Sequence, residues 1–514
     1  MTRRLLLAAL TLSMCLVSLV GPAAAAEHTK TDVTVKSKAA DGINIVISVY
    51  RPATAGAETP VPVILHSHGW GGSRTSGATS FRTELDAGFG VVSIDQRGHG
   101  ASGGKAHVEN PDFEGQDIIS VVDYVTSLDW VARNRDANGA IVAVDPVLFA
   151  MGGSYGGGYQ FVGAFTELRD MGWTRFDALA PEITWFNLAE SLAPSKVVRT
   201  AWTSALYAAG ATKLADHIHP AFAFGASTGQ WPDGTVPALA NLEAEFFNNG
   251  PSGHVAKGRT LDIPMLVGQG INDNLFNLNQ GWKNFELALT PQARARSLFV
   301  GYHGGHVLPN ALPLATSGSG DVCSGPGGFG ALRMRFFQAV VAGQDTSALL
   351  PAPYNLAMTG NECVRLQRLD QRKAYPIGVD ITVARGTVTT SGVGAPQHHQ
   401  IAAGPLTIAG IPTVSTEVST AGADQRVFFA ISVGDSPATA QVVQNNMMPL
   451  RELLPAIQQK RTIELPGIAV KVPAGQFAYL TVSPVSDMFA GHGSTRTPGL
   501  VGLDDLVVNL PVVN

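Results

Sequence analysis

Three cysteines in 514 residues are too few for a zinc or iron–sulfur framework. No CxxC pair or His/Cys cluster occurs, so no metal site is expected. Charge is sparse as well: Asp, Glu, Lys and Arg make up 15% of the chain and leave a formal net charge of −5. Without a basic stripe there is no electrostatic footprint for nucleic acid. Internal repeats, low-complexity tracts and charge runs are absent. Beyond the N-terminus no apolar run is long enough to span a membrane.

The N-terminus carries Arg3 and Arg4, then an almost wholly apolar Leu5 to Val20, then Gly21-Pro22 and four alanines. This is the pattern of a secretory signal over residues 1–26, with cleavage after Ala26 starting the mature chain at Glu27 and a secreted protein expected. Cys15 leaves with the signal; with Met14 before it, it does not read as a lipid-anchor site. Cys323 and Cys363 remain, and in an oxidising compartment an even pair predicts one disulfide, with free buried thiols as the alternative.

A chain of this length divides into several units. Strand patterns near 43–50, 61–67, 90–94 and 147–151, with a helix near 115–134, alternate as in a mainly parallel sheet wrapped by helices, an α/β architecture. Residues 27–180 and 263–375 form this α/β part. Between them, residues 181–262 interrupt the alternation with a stretch holding Trp185, Phe186, Trp202, Phe222, Phe224 and Trp231. It reads as a helical cap that would exclude water from a site beneath it, although most of these aromatics belong in the cap's own core. From 376 to 514 the texture changes to short β-branched runs broken by Gly, Pro and Thr, which predicts an all-β sandwich or jelly roll.

The chemistry is concentrated in Gly152-Gly153-Ser154-Tyr155-Gly156, a G-x-S-x-G elbow after the apolar run Val147 to Met151. A Ser hydroxyl is a weak nucleophile until a tight strand-to-helix turn lifts it toward a base, and flanking glycines allow that turn. Acid and base are sought after the nucleophile, each at the end of a later strand. The strand from Ile263 runs into Ile271-Asn272-Asp273-Asn274, and the strand from Ser297 ends in Tyr302-His303-Gly304-Gly305-His306. Asp273 is the expected acid and His306 the expected base. His303 is held in reserve because it sits almost on the strand end. For an oxyanion, the segment His68-Gly69-Trp70 after the strand 61–67 offers the Trp70 backbone N–H, with the Tyr155 N–H as second donor. His66 and His68 read as structural. The run Asp95-Gln96-Arg97-Gly98-His99-Gly100 reads as scaffold in which Asp95 and Arg97 pair.

These segments resemble the α/β-hydrolase superfamily. The S-Y-x-G elbow at Ser154 and the β-rich tail resemble, more narrowly, the cocaine esterase/X-Pro dipeptidyl-peptidase (peptidase S15) group with its C-terminal jelly-roll domain. In the cocaine esterase branch a Tyr hydroxyl commonly serves the oxyanion, whereas His68-Gly69-Trp70 suggests a backbone amide. The resemblance implies a serine hydrolase cleaving acyl esters through an acyl-enzyme, without cofactor. An X-Pro dipeptidyl-peptidase is the alternative; it needs a carboxylate for a free α-amine, with Glu182, Glu190 and Asp216 as candidates. A hydrolase-like protein that binds a polymer through its β domain without catalysis is the reading from another class. The expected partner is a small-molecule or peptide acyl substrate, and the oligomeric state is open.

Overall fold

The computed structural model describes residues 27–306, 315–316, 318–385, 395–489 and 498–513; the signal segment 1–26 with Cys15 lies outside them. A ten-stranded sheet organises the first part of the chain. Its strands are β1 (Thr29–Lys36), β2 (Asn44–Arg51), β3 (Val63–Ser67), β4 (Gly90–Ile94), β5 (Leu148–Gly153), β6 (Ala178–Glu182), β7 (Leu266–Gly270), β8 (Leu298–Tyr302), β9 (Tyr354–Ala357) and β10 (Cys363–Leu366). The spatial order is β1-β2-β4-β3-β5-β6-β7-β8-β9-β10. Pairing is parallel from β4 through β9 and antiparallel at both edges. Central strands such as β4 and β7 are buried along their whole length, because helices cover both faces of a parallel sheet.

The helix Glu114–Ser127 buries Ile118, Val121, Val122 and Val125, spaced at three and four residues along one face. It is shorter than the 115–134 expected. Leu128 turns extended, and the Arg133 guanidinium donates to the carbonyls of Thr126, Leu128 and Val131, satisfying the helix end. Arg133–Arg135 then pairs with Ile141–Pro146 as a separate hairpin. The helix Tyr155–Met171 begins directly after Ser154 and stops at Gly172, a left-handed cap with φ 82°.

His254 braces that helix from outside, stacked on Phe165 with ring centroids 4.7 Å apart and planes 14° apart. Among the described residues neither ring nitrogen has a partner, and burial depresses the imidazole pKa to about 3. The folded state therefore resists a proton that the unfolded chain takes up near its ordinary value of 6.5. Stability from this group is complete above that value and is lost as pH falls toward the folded value. His254→Phe, which keeps the stack and removes the titration, should raise the melting temperature, by an amount that widens between pH 6.5 and 4; thermal melts across that range check it.

Between β6 and β7 come short helices, chiefly Leu188–Leu192, Thr200–Gly210, Ile218–Thr228 and Leu242–Asn249. The C-terminal part consists of sheets whose described strands pair antiparallel, apart from the two-residue strand Ala315–Thr316, which joins Gln441–Val443 in parallel. In Thr413–Ala421 every second residue is buried, the period of a strand with one face on a core. Its partner Gly499–Leu510 changes phase at a bulge opposite Ser415 to Glu417, which keeps Leu503 and Leu506 both inward. The β part is not separable by its apolar contacts: Ala409, Ile411 and Ala469 belong to the same hydrophobic core as the central sheet.

Cys323 and Cys363 are disulfide-bonded, with Cα atoms 5.3 Å apart. The segment they close contains the helix Gly328–Val341 and β9. The bond ties the approach to that helix to the edge strand β10.

Candidate active site

Ser154 sits between the end of β5 and the first turn of the following helix with φ 57° and ψ −123°, a backbone conformation that L-residues adopt only under constraint. Its amide donates to Glu182 O at 2.9 Å, and its carbonyl accepts from Gly157 and Gly158 at 2.9 and 3.1 Å. Glycine is required on both sides. A Cβ at Gly152 would lie 2.5 Å from Ser67 O, and one at Gly156 only 2.3 Å from the same atom. The elbow is thus pressed against the end of β3.

His306 Nε2 lies 2.8 Å from Ser154 Oγ, and His306 Nδ1 lies 2.8 Å from Asp273 Oδ2. Asp273 is 3% exposed. Its Oδ1 accepts from the amides of Leu275 and Phe276 at 2.8 and 3.0 Å, while Oδ2 also accepts the His306 amide at 3.1 Å. One oxygen fixes the acid loop and the other holds the imidazole. The two glycines before His306 allow this closure: a Cβ at Gly305 would stand 2.5 Å from Asp273 Oδ2. Phe276 and Trp202 meet the imidazole edge-on, with centroids at 5.2 and 5.8 Å.

His303 points elsewhere, its Nε2 2.9 Å from Met358 O. Burial holds its pKa below the usual range. Ser154 has no contact with it.

Trp70 and Tyr155 flank Ser154. Tyr155 opens the helix, so its N–H lacks an intrahelical acceptor. Among the described residues neither the Trp70 nor the Tyr155 amide donates to protein. Their rings pack edge to face at 5.0 Å, and Trp70 Nε1 donates to Leu206 O at 2.9 Å, anchoring the loop to the Thr200–Gly210 helix. His68 is buried scaffold: its Nδ1 meets Gly69 O at 2.8 Å and its Nε2 accepts the Gln96 amide at 3.2 Å. His66 meets Ser93 Oγ at 2.9 Å, and burial lowers its pKa to about 4.

The expected Asp95–Arg97 pair does not form. Asp95 is ion-paired with Arg74 and accepts the Ala101 amide, whereas Arg97 points the other way to Asp117 and Asp41, each at 2.8 Å. Residues two apart in an extended segment share one face, but here the turn that begins at Gln96 sends the two side chains to separate partners. His99, part of the run read as scaffold, is fully buried and receives the Gly71 N–H at 3.4 Å, bracing the segment that carries Trp70.

Beside Ser154 lies a cavity of about 100 Å³ whose walls include Trp70, Tyr155, Trp185, Leu192, Trp231 and Phe276. No charged side chain lines it among the described residues. Of the cap aromatics, Trp185, Phe222 and Trp231 reach this cavity and Trp202 reaches His306, while Phe186 and Phe224 do neither. Nothing in sequence spacing separates these groups, because the faces of short helices are set by their packing. Phe276 could have been singled out, being three residues beyond the acid. The three carboxylates considered for an α-amine stand outside the cavity: Glu182 pairs with Arg333 at 2.9 Å, Glu190 with Lys283 at 3.1 Å, and Asp216 is exposed.

Fold and elbow define an α/β-hydrolase of the serine type. A model of the X-Pro dipeptidyl-peptidase (S15) family matches residues 41–307, over half the chain, and the protein belongs to that family. An aminopeptidase from the marine sediment archaeon Thaumarchaeota archaeon superposes with a TM-score of 0.64 at 13% identity, covering 98% of this chain and 99% of that one. An α-amino acid ester hydrolase gives 0.61 at 15% identity, covering 98% and 100%. A CocE/NonD family hydrolase from Staphylococcus aureus gives 0.59 at 12% identity over 94% and 97%. At these identities the likeness is one of fold. The uncharacterized protein YcjY of Escherichia coli (strain K12) is 29% identical over 129 residues, 25% of this chain and 38% of the relative's length.

Proposed function

We propose that the protein is a secreted serine esterase that transfers a short, neutral, apolar acyl group from an ester to water through an acyl-enzyme. Ser154 Oγ attacks the ester carbonyl while His306 Nε2 accepts its proton. Asp273 fixes the tautomer and stabilises the imidazolium. The amides of Trp70 and Tyr155 receive the oxyanion. The imidazolium then protonates the leaving alkoxide, and in a second half-reaction His306 activates water against the acyl ester on Ser154. The observation that carries this reading is the Ser154–His306–Asp273 hydrogen-bonded chain opening on a cavity without a carboxylate. The segments outside the described residues contain no Asp or Glu, so they supply no counter-charge for an amine either.

Size narrows the acyl group. A dry cavity of about 150 Å³ takes a benzene ring, and about 100 Å³ falls short of that, which favours an aliphatic acyl chain of a few carbons over an aromatic one. The family match is what favours the second reading, an X-Pro dipeptidyl-peptidase. One panel separates them: p-nitrophenyl butanoate, p-nitrophenyl 2-aminobutanoate and Ala-Pro-p-nitroanilide. The two esters differ by one ammonium, and burying an unpaired ion costs several kcal/mol. The butanoate should therefore lead in kcat/KM by about a hundredfold or more; preference for the amino ester or the anilide would move the enzyme to the amine-recognising branch. Export rests on residues 1–26, and N-terminal sequencing of the secreted product should begin at Glu27.

A further inference from the structure

Trp231 lies where two cavities back onto each other. On one side is the space beside Ser154, about 100 Å³. On the other is a wider, solvent-open cleft of about 690 Å³. Among the described residues Trp231 is the one residue that lines both. Elsewhere the wall between them is helical: Leu188–Leu192 turns Leu188 to the first cavity and Ala189 to the second, and Leu242–Asn249 turns Leu242 to the first and Phe247 to the second. At Trp231 a single residue borders both spaces.

That indole is held in place. Gly225 on the neighbouring helix has no side chain because a Cβ there would lie 2.5 Å from the Trp231 ring, and Phe246 meets the ring at 6.0 Å and 86°. Trp231 is 6% exposed, and its Nε1 has no partner among the described residues, so the ring is positioned by packing and not by a hydrogen bond. Several polar groups of the cleft beyond are engaged by neighbours: Lys196 pairs with Glu243 at 3.4 Å, Glu190 with Lys283 at 3.1 Å, and Asn187 and Asn241 cap helices.

Building on the esterase reading, we infer that Trp231 is the specificity-determining residue that sets the maximum acyl-chain length, by closing the acyl cavity against an open cleft. With the indole in place, methylenes beyond the first few have no space. Removing it supplies apolar volume for several more, each worth roughly a fourfold gain in kcat/KM when buried. Past the breached wall the chain enters solvent, so further methylenes add little. This gives the variant a profile with a plateau.

The test is the kcat/KM profile for p-nitrophenyl esters from acetate to dodecanoate, for wild type, Trp231→Ala, Trp231→Leu and Trp231→Phe, with melting temperatures. Wild type should peak at a short chain and fall by octanoate. Trp231→Ala should raise the octanoate-to-butanoate ratio by about fiftyfold or more, three buried methylenes' worth, and hold that value to dodecanoate. Trp231→Phe should stay near wild type. If Trp231→Ala does not fold, Trp231→Leu carries the test with a smaller shift in the same direction. A folded variant with an unchanged ratio, or with a sharp fall between octanoate and dodecanoate, overturns the inference. A wild-type protein that hydrolyses none of the esters overturns instead the reading on which it rests.

Discussion

His306→Ala should lower kcat for p-nitrophenyl butanoate by about a millionfold, and Asp273→Asn by about ten-thousandfold, with KM little changed. The smaller effect has a geometric origin. An amide at 273 still accepts the Leu275 and Phe276 amides through its oxygen, where Asp273 Oδ1 does so now. Its NH2 group then faces His306 Nδ1, which must become the acceptor. The imidazole proton moves to Nε2, and the nitrogen 2.8 Å from Ser154 Oγ can no longer accept the hydroxyl proton. His303→Ala is the contrast: its ring serves the Met358 carbonyl, so kcat should stay within about twofold while stability falls by about 1 kcal/mol, the worth of one hydrogen bond. Steady-state kinetics and thermal melts on the three variants check this ordering. Equal losses at His303 and His306 would be inconsistent with it.

Ending the chain before residue 376 should leave no folded hydrolase. The central sheet's core borrows Ala409, Ile411 and Ala469 from the β part. Asn279 donates to Leu465 O at 2.9 Å and accepts the Gly467 amide at 2.8 Å. The cap leans on the β part through a second set of contacts: Val197 is buried with Phe428, Ala430, Met488 and Phe489, and the Arg199 guanidinium lies over the Phe489 ring at 5.0 Å. Three residues along the same helix, Trp202 faces His306. Removing residues 376–514 would expose a large apolar surface on both the sheet and the cap, a loss exceeding the 5–15 kcal/mol by which domains are stable. The truncated chain should be insoluble or lack a cooperative melt by circular dichroism. Soluble truncated protein with undiminished ester turnover would make the β part an appended module, as the polymer-binding reading requires.

The parallel sheet was legible because strands covered on both faces are unbroken apolar runs, and its loops are therefore easy to order along the chain. The elbow was legible because only glycine fits at 152 and 156. What did not show was whatever depends on distant partners. No glycine or proline marks the end of the Glu114–Ser127 helix; Arg133 closes it by reaching back to the carbonyls of Thr126 and Leu128. Asp95 and Arg97 are two residues apart and of opposite charge, yet Arg74, Asp117 and Asp41 claim them from other segments. The cap aromatics were visible as a group, but their division between cavity wall and filler follows from how short helices stack, and Trp231 acquires its double role only from the cleft behind it.

Every step of the proposed reaction requires that Ser154 be a nucleophile activated by His306. This requirement is tested most directly by treating the folded, full-length protein with a fluorophosphonate and mapping the modified peptide by mass spectrometry, beside Ser154→Ala. A single adduct on Ser154 is expected, absent from the variant, with ester turnover lost in proportion to labelling. A folded protein that turns over butanoate yet remains unlabelled at Ser154, or a Ser154→Ala variant that retains wild-type turnover, would contradict it.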